Sequence, residues 1–167
     1  MPFFMTTTPE PIDLLIEARW IATVESNAVL KNHAVAIDKG CIKAILPASE
    51  ARPRYSPRTL HVLPDHILIP GLINLHTHAA MSLMRGMADD LPLMQWLTQY
   101  IFPVEATLTG DMVYQGALLS LCEMIRSGTT TFCDMYLFSA DIARAVETAG
   151  MRAWLGEALY DFPSPNY

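Results

Sequence analysis

The segment LINLHTH places His76 and His78 on either side of Thr77. Side chains in an extended strand alternate between faces, so both imidazoles leave one face and Thr77 leaves the other. Neutral imidazole is the commonest protein ligand for metals, and zinc accepts its nitrogen at about 2.0–2.1 Å, so the pair can converge on one ion. The same triplet also suits two hydrogen-bonded histidines at a strand end. A catalytic zinc takes three protein ligands and keeps one position open. The remaining histidines, His33, His61 and His66, all precede the segment. In an extended chain His66 falls near the far end of the strand, so further ligands are expected from later strands.

Positioning such a pair requires a strand that ends at it. From Gly71 the sequence supplies one, apolar and without polar alternation, as expected where both faces of a parallel sheet are covered. A long connection follows, with a short helix expected between Pro92 and Tyr100. Thr109 caps a clear amphipathic helix through Val113, Ala117, Leu118, Leu121 and Ile125, closed by Arg126 and Gly128. TTTFCDM reads as a strand, Ser139 to Gly150 as a second helix, and MRAWL as a third strand. Alternating strands and helices indicate βαβ units with right-handed crossovers. In a barrel of such units the active site lies where strands end and loops begin, which is where the histidines stand. Three strands are less than half of an eight-unit barrel. The expectation is therefore the amino-terminal portion of a larger α/β enzyme, the alternative being an open doubly wound domain complete in itself.

Upstream, IDLLIEARWIATV, HAVAI and CIKAIL read as strands of a small sheet, with a tight turn at Asp38-Lys39-Gly40. ASEARPRYSPRT reads as a loop, and HVLPDHILIPG returns to strand-like sequence.

Of the 167 residues, 51% are hydrophobic and 17% charged, with a net charge of -6. Disorder, a coiled coil and a nucleic-acid-binding tail are excluded on that basis, and an acidic chain is poorly suited to phosphate backbones. Cys41, Cys122 and Cys133 form no C-x-x-C pair, which fits a reducing, cytoplasmic setting. MPFFMTTTPEP offers neither a basic region nor a long apolar one, and Pro70, Gly71 and Asn74 break the apolar stretches, so neither a leader nor a membrane span is expected.

The run PGLINLHTHAAMSLMRGMADDLPLMQWLTQYIFPVEA resembles the amidohydrolase superfamily, in particular its 5'-methylthioadenosine/S-adenosylhomocysteine deaminase-like branch. The resemblance implies an α/β fold. Residues 1–65 would form a small β-sandwich segment completed by the carboxyl-terminal part of the enzyme, and residues 66–167 the first three units of a metal-dependent (β/α)8 TIM barrel. It implies that His76 and His78 are the first two ligands of one divalent metal ion, zinc or alternatively iron. The other ligands and the proton-handling groups would come from the fifth, sixth and eighth strands. This chain would then hold no catalytic residue beyond the metal ligands and be inactive alone.

Two more positions match that branch: Trp96 as the aromatic wall beside the nucleoside, and Glu105 as the carboxylate accepting hydrogen bonds from ribose hydroxyls. A flat apolar indole and an acceptor-only carboxylate suit a ring plus a diol. Without the resemblance, Trp96 reads as helix packing and Glu105 as a solvated charge. Arg85, Asp89 and Asp90 either shape a lid or form a local ion pair, and Asp134 at the end of the second strand is either supporting or structural. Met81, Met84, Met87 and Met94 suit an adaptable apolar wall or ordinary packing. Where some relatives that accept adenosine derivatives carry an arginine after the third strand, this chain has Glu157 in GEALYDFPSP.

The implied reaction is hydrolytic deamination of an adenine nucleoside (5'-methylthioadenosine, S-adenosylhomocysteine or adenosine) to the inosine-type product and ammonia. One rival is a related amidohydrolase acting on guanine, cytosine or a chlorinated triazine. Another, of a different class, is a noncatalytic scaffold or interaction domain. The expected partners are the remainder of the enzyme, the nucleoside and further copies in a homo-oligomer, with neither nucleic acid nor membrane.

Overall fold

Residues 10–22 alternate irregularly between apolar and polar, and they pair on both sides: Glu10–Ala22 is the strand β1 around which the first sheet is built. In the computed structural model, which describes residues 8–25 and 28–166, the chain divides into two units, one up to Pro70 and one from Gly71. Residues 1–7, where most of the reading about a leader falls, lie outside the described residues.

In the first unit β1 is followed by β2 (Val29–Asp38), β3 (Cys41–Pro47), the short helix α1 (Ala48–Arg54) and β4 (Tyr55–Leu68). The sheet order is β3-β2-β1-β4, with β4 parallel to β1 and the other pairs antiparallel. The expected turn at Asp38-Lys39-Gly40 is present. Lys39 and Gly40 both have positive φ (50° and 74°), matching the twist of the flanking strands.

ASEARPRYSPRT is not a loop, contrary to the sequence reading: it forms α1 and the start of β4. Ala51 and Tyr55 are buried with Ile12, Leu15, Ala34 and Ala36, and this burial outweighs the local turn signals. Pro57 is tolerated because β4 pairs only with β1 among the described residues, and an edge strand can lack a donor on its outer side. Arg52 donates two hydrogen bonds to the buried Glu17, both 2.8 Å, tying α1 to β1.

The second unit holds β5 (Leu72–Thr77), a 3-10 helix (Ala79–Met84), α2 (Leu93–Trp96), a π turn (Leu97–Ile101) and α3 (Phe102–Glu105). Then come α4 (Gly110–Arg126), β6 (Thr129–Tyr136), α5 (Ser139–Ala149) and β7 (Arg152–Glu157). Strands β5, β6 and β7 are adjacent in that order and parallel throughout, as the alternating pattern predicts. Thr109 caps α4, its hydroxyl accepting from the Met112 amide at 3.3 Å. Val113, Ala117, Leu121, Phe132, Leu137 and Ile142 form the core. Covering of both faces of β5 is not met among the described residues, since Leu75 stays 78% exposed.

The helix expected over 92–100 extends to Glu105, interrupted by the π turn, in which the Phe102 amide donates back to the Leu97 carbonyl. Pro103 cannot donate to a carbonyl four residues back, and its ring crowds that carbonyl; the widened turn just before it absorbs the conflict.

The 3-10 helix after the histidines is pressed onto α4. Ser82 donates to the Gly116 carbonyl at 2.8 Å and Ser120 to the Ala79 carbonyl at 2.7 Å. A Cβ on Gly116 would stand 2.6 Å from the Ala80 carbonyl oxygen. Gly116→Ala should therefore lower stability by about 1–3 kcal/mol despite the better helix propensity of alanine. Denaturant unfolding of the complete protein checks this, and a raised midpoint would refute the close approach.

Candidate functional site

Strand β5 ends at Thr77, which leaves His76 in its last turns of pleat and His78 as the first residue beyond it. Their ring centres are 5.3 Å apart and the planes meet edge to face at 88°. Two imidazoles bound to one tetrahedral ion at about 2.0–2.1 Å would have ring centres roughly 5 Å apart, so the spacing fits a shared ion. His78 Nδ1 lies 2.6 Å from the Met135 carbonyl oxygen. A carbonyl only accepts, so Nδ1 carries the proton and Nε2 presents the lone pair, the arrangement that orients metal-binding histidines. Among the described residues no group of three or more His, Cys, Asp or Glu side chains gathers, so an ion at the pair would take at most these two ligands from them.

Asp134, on β6 opposite Thr77, determines where this strand end sits. Its Oδ1 accepts from the Thr77 hydroxyl at 2.6 Å and from the Ala79 amide at 2.7 Å, gripping the residues on both sides of His78. The carboxylate is 98% buried, and its Oδ2 has no partner among the described residues. Burial raises its pKa, while the bonds from Thr77 and Ala79 oppose the rise, as a positive charge at His78 would.

A cavity of about 140 Å³ opens beside His78, walled by Trp96, Phe102, Glu105, Tyr136 and Tyr160. A larger hollow of about 480 Å³ runs past Asn74, Thr77 and Ser120, but of the candidate residues it touches only His78. The smaller cavity brings together His78, Trp96 and Glu105, whereas His76 is not on its wall. Trp96 lines the cavity while its Nε1 donates to the Met87 carbonyl at 3.3 Å, so it packs and walls the pocket at once. Met81 lines the cavity too, whereas Met84 is buried in the core and Met94 is exposed.

Glu105 is not the solvated charge that its residue type suggests: only 6% of it is exposed. Burial raises its pKa, offset in part by the Tyr136 hydroxyl, as it would be by a positive charge at His78. Tyr136 is the residue that the sequence reading missed. The signal was available, since Tyr136 follows Asp134 by two residues on a strand and therefore shares its face. Its hydroxyl is buried and makes no hydrogen bond of ordinary geometry. Glu105 nevertheless lies close enough to act on it, and burial together with that carboxylate pushes the phenol well above the usual tyrosine range.

The loop charges do not reach the cavity's polar groups. Arg85 makes a bidentate pair with Glu123 of α4, at 2.9 and 2.7 Å, rather than with Asp89 or Asp90. Glu157 accepts from the Phe138 and Ser139 amides at 2.9 and 2.7 Å and so caps α5. No helix is long and apolar enough to cross a membrane among the described residues.

The amidohydrolase family model matches residues 67–166. A 5-methylthioadenosine/S-adenosylhomocysteine deaminase of Syntrophobacter fumaroxidans is 61% identical over 135 residues, covering 80% of this chain and 31% of the relative. Its namesake in Nitratidesulfovibrio vulgaris is 49% identical over 158 residues, covering 94% of this chain and 36% of the relative. Among solved structures, an adenosine deaminase from Xanthomonas campestris with bound zinc superposes with a TM-score of 0.91 at 46% identity, covering 95% of this chain and 36% of that one. The chain thus spans about a third of the length of these proteins.

Two outcomes follow for the complete protein. His76→Ala and His78→Ala should each sharply reduce bound metal in elemental analysis, and unchanged content in both would remove the metal centre. Asp134→Ala should weaken zinc binding about 10–100-fold in chelator competition by releasing the strand end around His78. Asp134→Asn, which keeps the Oδ1 acceptor, should retain most of the affinity.

Proposed function

The chain belongs to the amidohydrolase family, and from that premise we propose that the complete protein hydrolytically deaminates an adenine nucleoside, releasing ammonia and the inosine-type product. The observation that carries this reading is a buried carboxylate, Glu105, sharing one cavity with the ring of Trp96 and with His78. The 5-methylthioadenosine/S-adenosylhomocysteine deaminases at 61% and 49% identity support the substrate class. The zinc in the Xanthomonas adenosine deaminase supports zinc as the ion.

On this reading His76 and His78 hold the ion, His78 through the nitrogen that its bond to Met135 leaves free. A divalent ion held there would supply the Lewis acidity that favours water as a nucleophile near neutral pH. Glu105 accepts hydrogen bonds from the sugar hydroxyls, and Trp96 and Met81 exclude water from the base and hold it in register. Fixing the reacting carbon matters because small displacements cost rate steeply. The remaining ligands and the groups that move protons lie in the part of the enzyme corresponding to the other two thirds of its relatives. That part also supplies the barrel strands that cover Leu75 and Trp154 and the strands that complete a β-sandwich on β1–β4.

Glu105→Gln tests the assignment. The exchange keeps the shape but replaces one acceptor oxygen with a donor, so kcat/KM for the nucleoside should fall about 10–100-fold while that for the free base changes little. An unchanged ratio between nucleoside and free base would sink the nucleoside reading.

A further inference from the structure

The cavity's supply of hydrogen-bond donors points to one more residue. Glu105 can only accept, whereas a sugar diol has oxygens that also accept and that need a donor from the protein. The donors on the cavity wall are few, and most are spent. His78 Nδ1 is committed to the Met135 carbonyl and the Trp96 indole N–H to the Met87 carbonyl. Tyr160 is only half-buried, its ring stacked on Phe162 with centres 4.7 Å apart, and so is not a desolvated donor like Tyr136. The Tyr136 hydroxyl remains: buried, without a hydrogen-bond partner of ordinary geometry among the described residues, and on the same cavity as Glu105. Its ring is held at the end of β6, centred 6.2 Å from the His78 ring, so the hydroxyl is fixed relative to the candidate metal ligand.

We propose that Tyr136 is a substrate-binding residue whose hydroxyl donates to a sugar oxygen while Glu105 accepts from the sugar hydroxyls, the two together selecting ligands that carry a vicinal diol. This rests on the nucleoside reading above and names which part of the nucleoside the site inspects. A buried hydroxyl whose neighbour, the Glu105 carboxylate, stands outside ordinary hydrogen-bond geometry is incompletely satisfied in the free protein, and a ligand oxygen taking its proton removes that cost. Because burial and the Glu105 charge hold the phenol well above its ordinary pKa, it stays protonated and able to donate throughout the neutral range.

The experiment is Tyr136→Phe in the complete protein, assayed with adenosine and with 2',3'-dideoxyadenosine, alongside thermal unfolding. Phenylalanine keeps the ring and removes only the hydroxyl, which makes no hydrogen bond of ordinary geometry in the free protein, so the unfolding midpoint should change little. With adenosine KM should rise about tenfold or more while kcat stays within about twofold, the split expected for a lost binding contact. With the dideoxy compound wild type and variant should have the same KM. An unchanged KM for adenosine, or equal losses on both compounds, would overturn the assignment and leave the nucleoside reading standing. A wild-type enzyme that deaminates neither compound nor their 5'-thio derivatives would overturn both.

Discussion

One carboxylate oxygen holds the candidate site together. Asp134 Oδ1 takes the Thr77 hydroxyl and the Ala79 amide at 2.6 and 2.7 Å, and between those two residues stands His78. A strand end left to itself frays, and a ligand on a fraying end cannot hold an angle. By bonding both neighbours of His78 to the adjacent strand, Asp134 turns the end of β5 into a fixed corner. The Met135 carbonyl then sets the ring's tautomer from the same strand. The 3-10 helix that follows is pinned in turn by Ser82 and Ser120 on α4, so the corner has support on both sides.

Much of this was legible in the sequence, and the boundary of what was legible has physical causes. Alternation put His76 and His78 on one face, capping and spacing placed α4 and α5, and the βαβ rhythm gave the parallel sheet, because each depends on local periods of two or 3.6 residues. The stretch from Ala48 to Thr59 was misread because its prolines and arginines signal a turn locally, while the decision was made by burial of Ala51 and Tyr55 against distant residues. Glu105 gave no sign of burial for the same reason. A carboxylate's environment is built by what packs around it, here Trp96, Phe102 and Tyr136.

The π turn shows how a local irregularity carries functional geometry. Trp96 and Glu105 are nine positions apart, and in an unbroken α-helix at about 100° per residue they would face opposite directions. The one extra residue in a π turn makes the effective separation eight positions, about 80°, which lets both side chains reach one cavity. Pro103 makes the regular turn costly at this point. The same proline that a sequence reader takes as the end of a helix thus aligns the aromatic wall with the carboxylate.

The electrostatics of the corner point the same way. Glu105 and Asp134 are both buried, burial raises the pKa of each, and in both a positive charge at His78 would oppose the rise. Asp134 Oδ2 also lacks any hydrogen bond among the described residues, so part of its charge is left unsatisfied. Two desolvated carboxylates near one imidazole make an environment in which a cation is favoured over a neutral site, and a bound divalent ion is commonly the largest local charge in such a place. The bonds to Thr77 and Ala79 give Asp134 a structural task of its own, and a cation beside the imidazole pair would offset the charge that those bonds leave uncompensated on Oδ2.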